Sequence, residues 1–215
     1  MHRVFKCTLC GECCTKSPIS ILPHEEIILR SLAEKLGVEY RSSHGYRVFD
    51  RISHAYIALS YVMELVNGRC PFLREDLKCS IHDIYKPLIC RSFPYVPKHV
   101  KYNIVWDLRI IYATTEYGLS LECPVIKRDK EYLENLLRSN KLELYIKQEL
   151  DSAREMERIR SLFLTLLSEL WRRGDVELTD DPGVKAPVTN LYTLLRKYYP
   201  SLPYILGVNK LLESV

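Results

Sequence analysis

Apolar residues recur at helical spacing in the segment ILPHEEIILRSLAEKLG, residues 21–37. Pro23 stands where the first turn of a helix tolerates proline, and the acidic residues Glu25 and Glu26 follow it. Gly37 is typical of the residue that ends a helix. The pattern therefore predicts an amphipathic helix that packs on a core.

Two later segments are rich in β-branched and aromatic residues. Residues 56–66, followed by Asn67-Gly68, predict a hairpin with a tight turn of positive φ, which would place Cys70 just beyond the turn. Residues 102–112, YNIVWDLRIIY, alternate in part and predict a strand that leads towards Cys123.

Helical spacing returns after about residue 127 and dominates the rest of the chain. Residues 180–183, DDPG, predict a turn, and Pro187 is expected to open a last helix that runs through Tyr198 and is ended by Pro200. The predicted fold class is α+β. A small cysteine-rich metal-binding α/β core with a hairpin occupies residues 1–126, and a mainly helical C-terminal region, residues 127–215, packs on it.

Composition adds limits on the function. The chain has 215 residues, 47% of them hydrophobic, so it can bury a core without disulfides. Its net charge of +4 is dispersed among acidic residues, so no nucleic-acid site is expected. The first six residues lack an apolar signal, and no apolar run approaches the length of a membrane span. We expect a cytoplasmic protein without membrane contact. The single glutamine and three methionines suggest a thermophilic source.

Cysteine spacing is the strongest chemical signal. The segment CTLCGECC places Cys7, Cys10 and Cys13 at C-x2-C-x2-C and adds Cys14. This loop spacing lets three thiolates converge on one centre while backbone N–H groups point at the sulfurs. Disulfides stay open as an alternative, since proteins of hyperthermophiles use them inside cells, but a crowded triplet suits them poorly.

Further thiols complete the count of eight. Cys70-Pro71, Cys79, Cys90 and Cys123-Pro124 follow downstream, and Pro87 predicts a short helix or turn between Cys79 and Cys90. Eight thiols suffice for two four-thiolate sites. The triplet favours a [4Fe–4S] cluster on Cys7, Cys10 and Cys13 with one Cys-Pro partner. The other thiols would hold a second cluster or zinc. Adjacent Cys13 and Cys14 are expected to point in different directions and to serve different centres.

Two side chains near the cysteines have alternative roles. His82, three residues after Cys79, is either a metal ligand or a residue that caps or hydrogen-bonds locally. Arg91, next to Cys90, is either a cofactor-binding donor to a cluster sulfur or a partner in an ordinary salt bridge.

The first half of the chain resembles the YkgJ-like cysteine-cluster family, which is described as zinc- or iron-chelating. The matching residues are Cys7, Cys10, Gly11, Cys13, Cys14, Gly68, Cys70, Pro71, Phe72, Leu73, Cys79, Ile81, Pro87, Cys90, Arg91, Phe93 and Pro94, with Cys123-Pro124 as a late Cys-Pro pair. Two departures are Lys86 in place of an arginine and a spacing from Cys79 to Cys90 that is one residue longer. The resemblance implies metal or iron–sulfur binding.

Three functions remain open. The first is an iron–sulfur protein with a redox or electron-transfer role, or an iron–sulfur oxidoreductase, acting with an unidentified partner. The second is a structural zinc module whose helical region binds a protein. The third is a protein lysine methylase of the flagellin type, because related cysteine clusters occur there. The absence of any G-x-G segment disfavours a methyl-donor loop.

Overall fold

The computed structural model describes residues 3–16 and 19–213, and it shows an α+β fold with a largely helical C-terminal region. The helices are α1 (Cys13–Lys16), α2 (Pro23–Leu36), α3 (Leu88–Ser92), α4 (Pro124–Arg128), α5 (Lys130–Arg138), α6 (Glu143–Arg173), α7 (Leu191–Tyr198), α8 (Leu202–Ile205) and α9 (Asn209–Glu213). The strands are β1 (Ile19–Ile21), β2 (Ser42–His44), β3 (Arg47–Asp50), β4 (Ala55–Ala58), β5 (Tyr61–Met63), β6 (Tyr95–Val105), β7 (Ile110–Leu119), β8 (Leu178–Thr179) and β9 (Val188–Asn190). The predicted fold class is confirmed.

The strands form three separate sheets. An antiparallel sheet has the order β1-β5-β2, and a four-stranded sheet has the order β8-β3-β4-β9, in which only the β4–β9 pair is parallel. The third is the long antiparallel hairpin β6-β7. Strands from the C-terminal region thus complete a sheet that the N-terminal half begins.

The first predicted helix is present with the expected ends. Helix α2 begins at Pro23, where the missing N–H costs no hydrogen bond. It stops at Gly37, which adopts the left-handed conformation with φ of 64° and donates its N–H to the Glu34 carbonyl. Local chemistry determines both ends, so the sequence pattern was sufficient to predict them.

The predicted strand over residues 56–66 is wrong as a single element. It divides between β4 in the four-stranded sheet and β5 in the three-stranded sheet. The chain changes sheets at Leu59 and Ser60, where the Ser60 hydroxyl accepts a hydrogen bond from the Tyr46 N–H at 3.0 Å. The turn at Asn67 and Gly68 does have positive φ as predicted, but only the single bridge between Val66 and Arg69 flanks it.

The predicted strand over residues 102–112 is also wrong, because a turn interrupts it. Strand β6 ends at Val105, and β7 begins at Ile110 after a turn closed by the Arg109 N–H donating to the Trp106 carbonyl. Arg109 adopts positive φ without being glycine. No glycine or proline marks this turn, so strand propensity alone predicted one continuous strand.

The C-terminal region is dominated by α6, which is kinked at Ile146, where the backbone leaves the helical conformation with φ of −124° and ψ of 42°. Helix α6 contacts α3, β6 and β7. Pro187 does not open the last long helix. Asn190 caps α7, since its side-chain oxygen accepts hydrogen bonds from the N–H groups of Tyr192 and Thr193. The predicted end at Tyr198 is confirmed. Across the described residues, no helix is both long and apolar enough to cross a bilayer.

The core consists of three apolar clusters. The main cluster packs α6 and α7 on β3, β4 and β7. A second cluster joins α2, β1 and β5 to the segment around Cys70 and Phe72. The third gathers Phe5, Cys123 and Tyr145 near the start of α6. The main cluster contains residues from both sides of position 126, and the division of the chain there stays a prediction.

A buried histidine in α2 predicts how stability responds to acid. His24 is 1% exposed, its Nδ1 has no hydrogen-bond partner, and burial lowers its pKa to about 3. The unfolded chain takes up a proton near pH 6.5, whereas the folded chain does not. The free energy of unfolding should therefore fall as the pH drops from about 6.5 towards 3, by up to ~1.4 kcal/mol per pH unit from this group.

Urea unfolding of wild type and His24→Leu between neutral and acidic pH measures this contribution. Both proteins should be chelated, so that metal loss cancels from the comparison. We expect the stability of His24→Leu to fall less steeply in acid. Parallel pH profiles for the two proteins would show that His24 is not the buried neutral group inferred here.

Candidate metal centre

All eight cysteines line one cavity of 460 Å³, which lies between the second and third apolar clusters. They come from four parts of the chain: the N-terminal loop with α1, the turns between residues 70 and 79, helix α3, and the start of α4. The lining thiols are Cys7, Cys10, Cys13, Cys14, Cys70, Cys79, Cys90 and Cys123. All eight are free of disulfides. The fold thus collects thiols separated by more than 100 positions.

The N-terminal loop bends sharply between its cysteines. Leu9 and Gly11 both adopt positive φ, at 54° and 73°. A side chain at position 11 would also lie 3.4 Å from the Cβ of Leu77. Glycine suits this position because it tolerates the left-handed backbone and the close approach of the 70–79 turns.

Cys13 and Cys14 do not point apart. Their sulfur atoms lie 3.8 Å from each other at the start of α1, which corrects the expectation that the two side chains point in different directions. Helix α1 is the physical reason: its first turn begins with the Cys14 N–H donating to the Gly11 carbonyl at 2.9 Å. Two adjacent side chains at a helix start project to the same end of the helix.

Backbone hydrogen bonds join the middle cysteines to α1. The Cys70 N–H donates to the Cys14 carbonyl at 2.7 Å, and Leu73 pairs with Cys79 in an isolated antiparallel bridge. Cys70 is 6% exposed. The 70–79 segment is therefore held against the N-terminal loop through the backbone, independently of any metal.

Cys90 lies in α3, whose start is anchored by a buried carboxylate. Glu25 of α2 accepts hydrogen bonds from the Leu88 N–H at 2.7 Å, the Leu22 N–H at 3.0 Å and the Tyr85 hydroxyl at 3.2 Å. Glu25 is completely buried. One side chain thus links α2 to the segment that positions Cys90.

Cys123 directly precedes α4, with Pro124 as the first helical residue. The Cys123 N–H donates to the Ser120 carbonyl at 3.3 Å, and the Ser120 N–H donates to the Pro94 carbonyl at 2.8 Å. These bonds join the late Cys-Pro pair to the end of α3 and the start of β6.

The thiols form two neighbourhoods. The inner group is Cys13, Cys14, Cys70, Cys79 and Cys90, of which all but Cys13 pack in the second apolar cluster. Burial is the main cause that raises the pKa of Cys70, Cys79 and Cys90. The nearby charge of Cys13 is a smaller cause that acts in the same direction. The outer group is Cys7, Cys10 and Cys123. Burial first, and then the charges of Cys7 and Cys10, raise the pKa of Cys123.

Burial also favours the protonated form of the inner thiols. It raises the pKa of Cys70 to about 11 and the pKa of Cys90 well above its usual value. The hydrogen bond to Cys14, followed by burial, raises the pKa of Cys13. Metal binding to these thiols must release protons, so affinity should increase with pH.

Polar groups around the cavity suit bound thiolates. Backbone N–H groups of Phe72 and Leu73 point at the Cys70 sulfur, those of Val125 and Ile126 point at the Cys123 sulfur, and all of them lower the pKa of the thiol they face. Such N–H···S hydrogen bonds are typical around metal-bound cysteines. The donor set therefore fits a zinc ion or an iron–sulfur cluster. Within residues 3–16 and 19–213, however, no three His, Cys, Asp or Glu side chains already converge as a metal-binding group.

Arg91 and His82 both line the cavity. Burial raises the pKa of Glu25, and the hydrogen bond from Arg158 lowers the pKa of Glu155; the Arg91 charge is a smaller, lowering influence on both carboxyls. Within residues 3–16 and 19–213, Arg91 has no carboxylate at ion-pair distance. The His82 N–H donates to the Cys79 carbonyl at 3.3 Å.

Among the charged residues that line the cavity are Lys86 and Glu149, to which the sequence assigned no role at the site. The hydrogen bond to Cys14 is the main cause that raises the pKa of Cys13, and burial is the main cause for Cys79 and Cys90. The Lys86 ammonium group partly offsets these shifts, because its charge lowers the pKa of all three thiols. Its position between Cys79 and Cys90 was the available signal. Glu149 also lines the cavity, but it comes from α6, and no sequence pattern connects it with the cysteines.

Comparison with known proteins gives one match. The model of the CxxCxxCC family, described as "Putative zinc- or iron-chelating domain", matches residues 6–117. This range contains seven of the eight cysteines and leaves out Cys123. No significant match was found among curated proteins or among solved structures.

Proposed function

Because the chain belongs to the CxxCxxCC family of zinc- or iron-chelating domains, we propose that its cysteines hold iron–sulfur centres and that the protein transfers electrons. The observation that carries this proposal is the collection of eight thiols around one 460 Å³ cavity. A single zinc ion uses four ligands, so eight thiols exceed the need of one structural zinc site.

We assign the thiols to two centres that follow the two neighbourhoods. The inner centre draws on Cys13, Cys14, Cys70, Cys79 and Cys90, and the outer centre uses Cys7, Cys10 and Cys123. The sequence placed Cys7, Cys10 and Cys13 in one centre with a Cys-Pro partner. The present assignment keeps Cys123 as that partner and moves Cys13 to the inner centre. The support is the packing of four inner thiols in one apolar cluster and the 3.8 Å contact between Cys13 and Cys14.

The surroundings of the two centres differ in ways that suit electron transfer. An iron–sulfur cluster, when bound, accepts and releases single electrons at a potential set by charge, hydrogen bonds and solvent exposure. Buried thiols, N–H donors and the Lys86 ammonium surround the inner centre. Cys7 of the outer centre is exposed, so an electron-transfer partner can approach there.

Zinc is the second candidate, and it would make the protein a structural module that binds a partner. The inner group favours it, since four of its five thiols would complete a tetrahedral site without sulfide. Zinc would hold the N-terminal loop, the 70–79 turns and α3 together.

A reductive titration tests the redox proposal. Protein purified without oxygen should show a broad visible absorbance that bleaches on addition of dithionite and returns on reoxidation. The bleaching should proceed in two steps if the centres differ in exposure as described. A colourless protein whose visible spectrum does not change on addition of dithionite would contradict electron transfer and favour zinc.

A further inference from the structure

A wide groove opens beside the cysteine cavity. It has a volume of 1480 Å³ and is formed by residues 4–7, residues 140–141 and the α6 stretch 143–152, together with Lys86 and Arg91. The residues that line both the groove and the cavity are Phe5, Cys7, Lys86, Arg91 and Glu149. The groove therefore leads to the outer thiols, at the end where Cys7 lies.

Two acidic residues on the α6 wall are already neutralised. Glu143 forms ion pairs with Lys147 at 3.7 Å and with Arg154 at 3.2 Å. Asp151 pairs with the same two cations, at 3.2 Å and 3.0 Å. This network leaves little net charge on its part of the wall.

The other charges in the groove are mostly positive. Lys6, Lys86, Lys141 and Arg91 face it, and Glu149 is the remaining acid among the lining residues. In the described part of the chain, none of these four cations has a carboxylate within ion-pair distance. Unpaired cations around a concave surface attract anions from solution.

The outer thiol group adds a second requirement. It contains three cysteines, one fewer than a four-coordinate metal or a cluster uses, and its Cys7 is exposed and lines the groove. Metal sites with three protein ligands keep one position for a water or a substrate. A carboxylate or phosphate oxygen from a bound molecule has the right charge for this position and for the nearby cations.

We propose that the groove binds a small-molecule anion with two or more carboxylate or phosphate groups, and that one of these groups lies at the Cys7 end. Lys6 and Lys141 bind the remote groups, while Lys86 and Arg91 stand at the entrance to the cysteine cavity. The groove is larger than most small-molecule pockets, so an anion of cofactor size fits. The assignment of the Cys7 end rests on the proposed outer centre.

Calorimetric titration of the full, metal-loaded chain tests this site. Citrate and pyrophosphate serve as separate probes, one for carboxylates and one for phosphates, at constant ionic strength. We expect wild type to bind at least one probe at millimolar or lower concentration. Lys6→Gln/Lys141→Gln should weaken that binding by about tenfold or more, because two charge-assisted contacts are lost.

The matched control is Lys101→Gln/Lys185→Gln, which removes the same two charges from exposed residues outside both cavities. It should bind the probe as wild type does. Equal weakening in Lys101→Gln/Lys185→Gln would show non-specific attraction by net charge and overturn the proposal, as would the absence of binding by both probes. Binding of an acidic peptide in place of either probe would also overturn it, since it would make the groove a protein-docking surface.

The same samples keep the two proposals apart, because their iron, zinc and sulfide contents are measured beforehand. If metal-loaded protein binds neither citrate nor pyrophosphate, the result contradicts the anion site but not the iron–sulfur proposal. Protein that lacks iron and sulfide but binds a probe through Lys6 and Lys141 contradicts the iron–sulfur proposal alone.

Discussion

The double variant Cys70→Ala/Cys90→Ala is expected to lose the inner metal and to keep the outer one. It leaves three of the five inner thiols, and both replaced cysteines lie in the second apolar cluster rather than at the surface. A structural thiolate site contributes on the order of 10 kcal/mol to a small metal domain. We expect the melting temperature to fall by about 10 °C or more, while the main core stays folded.

Metal analysis and thermal melting of the double variant measure this effect, and Cys123→Ala is the reciprocal control. Cys123→Ala leaves only two outer thiols, so it should lose the outer metal and retain the inner one. Full metal content in both variants would contradict the assignment of these cysteines as ligands. Loss of all metal in either variant would show that the eight thiols form one centre instead of two.

Glu25→Ala is expected to be the most destabilising change outside the cysteines. The Leu22 and Leu88 N–H groups and the Tyr85 hydroxyl would all lose their acceptor in a buried place. An unsatisfied buried donor costs about 1–3 kcal/mol, so the free energy of unfolding should fall by roughly 3–5 kcal/mol. Because Leu88 lies two residues before Cys90, the inner centre should also bind metal more weakly.

Urea unfolding of metal-loaded and chelated protein measures both consequences. Glu34→Ala is the matched control, since it makes the same change at an exposed position of α2 and should alter stability by less than about 0.5 kcal/mol. If Glu25→Ala unfolds at the same urea concentration as Glu34→Ala, Glu25 does not anchor α3.

Local chemistry explains which elements the sequence predicted well. Helix α2 begins with a proline and ends with a glycine in the left-handed conformation, so its ends depend on nearby residues alone. The positive φ at Asn67 and Gly68 is likewise a local property. Such features are visible without knowledge of the fold.

Tertiary pairing explains the errors. Residues 56–66 have strand composition, but nothing local indicates that β4 and β5 belong to different sheets. The turn at Arg109 uses positive φ without glycine, so propensity gave no sign of it. The partner strands of β4 and β5 lie elsewhere in the chain. The Arg109 guanidinium likewise donates to the distant Trp171 carbonyl at 2.9 Å.

At the candidate site, too, local features could be predicted from the sequence and tertiary contacts could not. Spacing identified all eight cysteines and placed His82 and Arg91 nearby, and all ten residues line one cavity. Spacing did not predict the contact between Cys13 and Cys14, because that depends on the start of α1. Glu149 lines the cavity from α6, and Glu25 of α2 anchors the segment that precedes Cys90. Because α2 and α6 are distant from Cys90 in sequence, only the fold connects these residues with the site.

The contents of iron, zinc and acid-labile sulfide per chain, determined in protein purified without oxygen, show directly whether the cysteines hold iron–sulfur centres. We expect iron and sulfide in near-equal amounts, together with few thiols that react before the metal is removed. Zinc without sulfide would keep the cysteine site but contradict the iron–sulfur assignment. Metal-free protein with no reactive thiols would mean that the cysteines form disulfides, and this would contradict the metal centre itself.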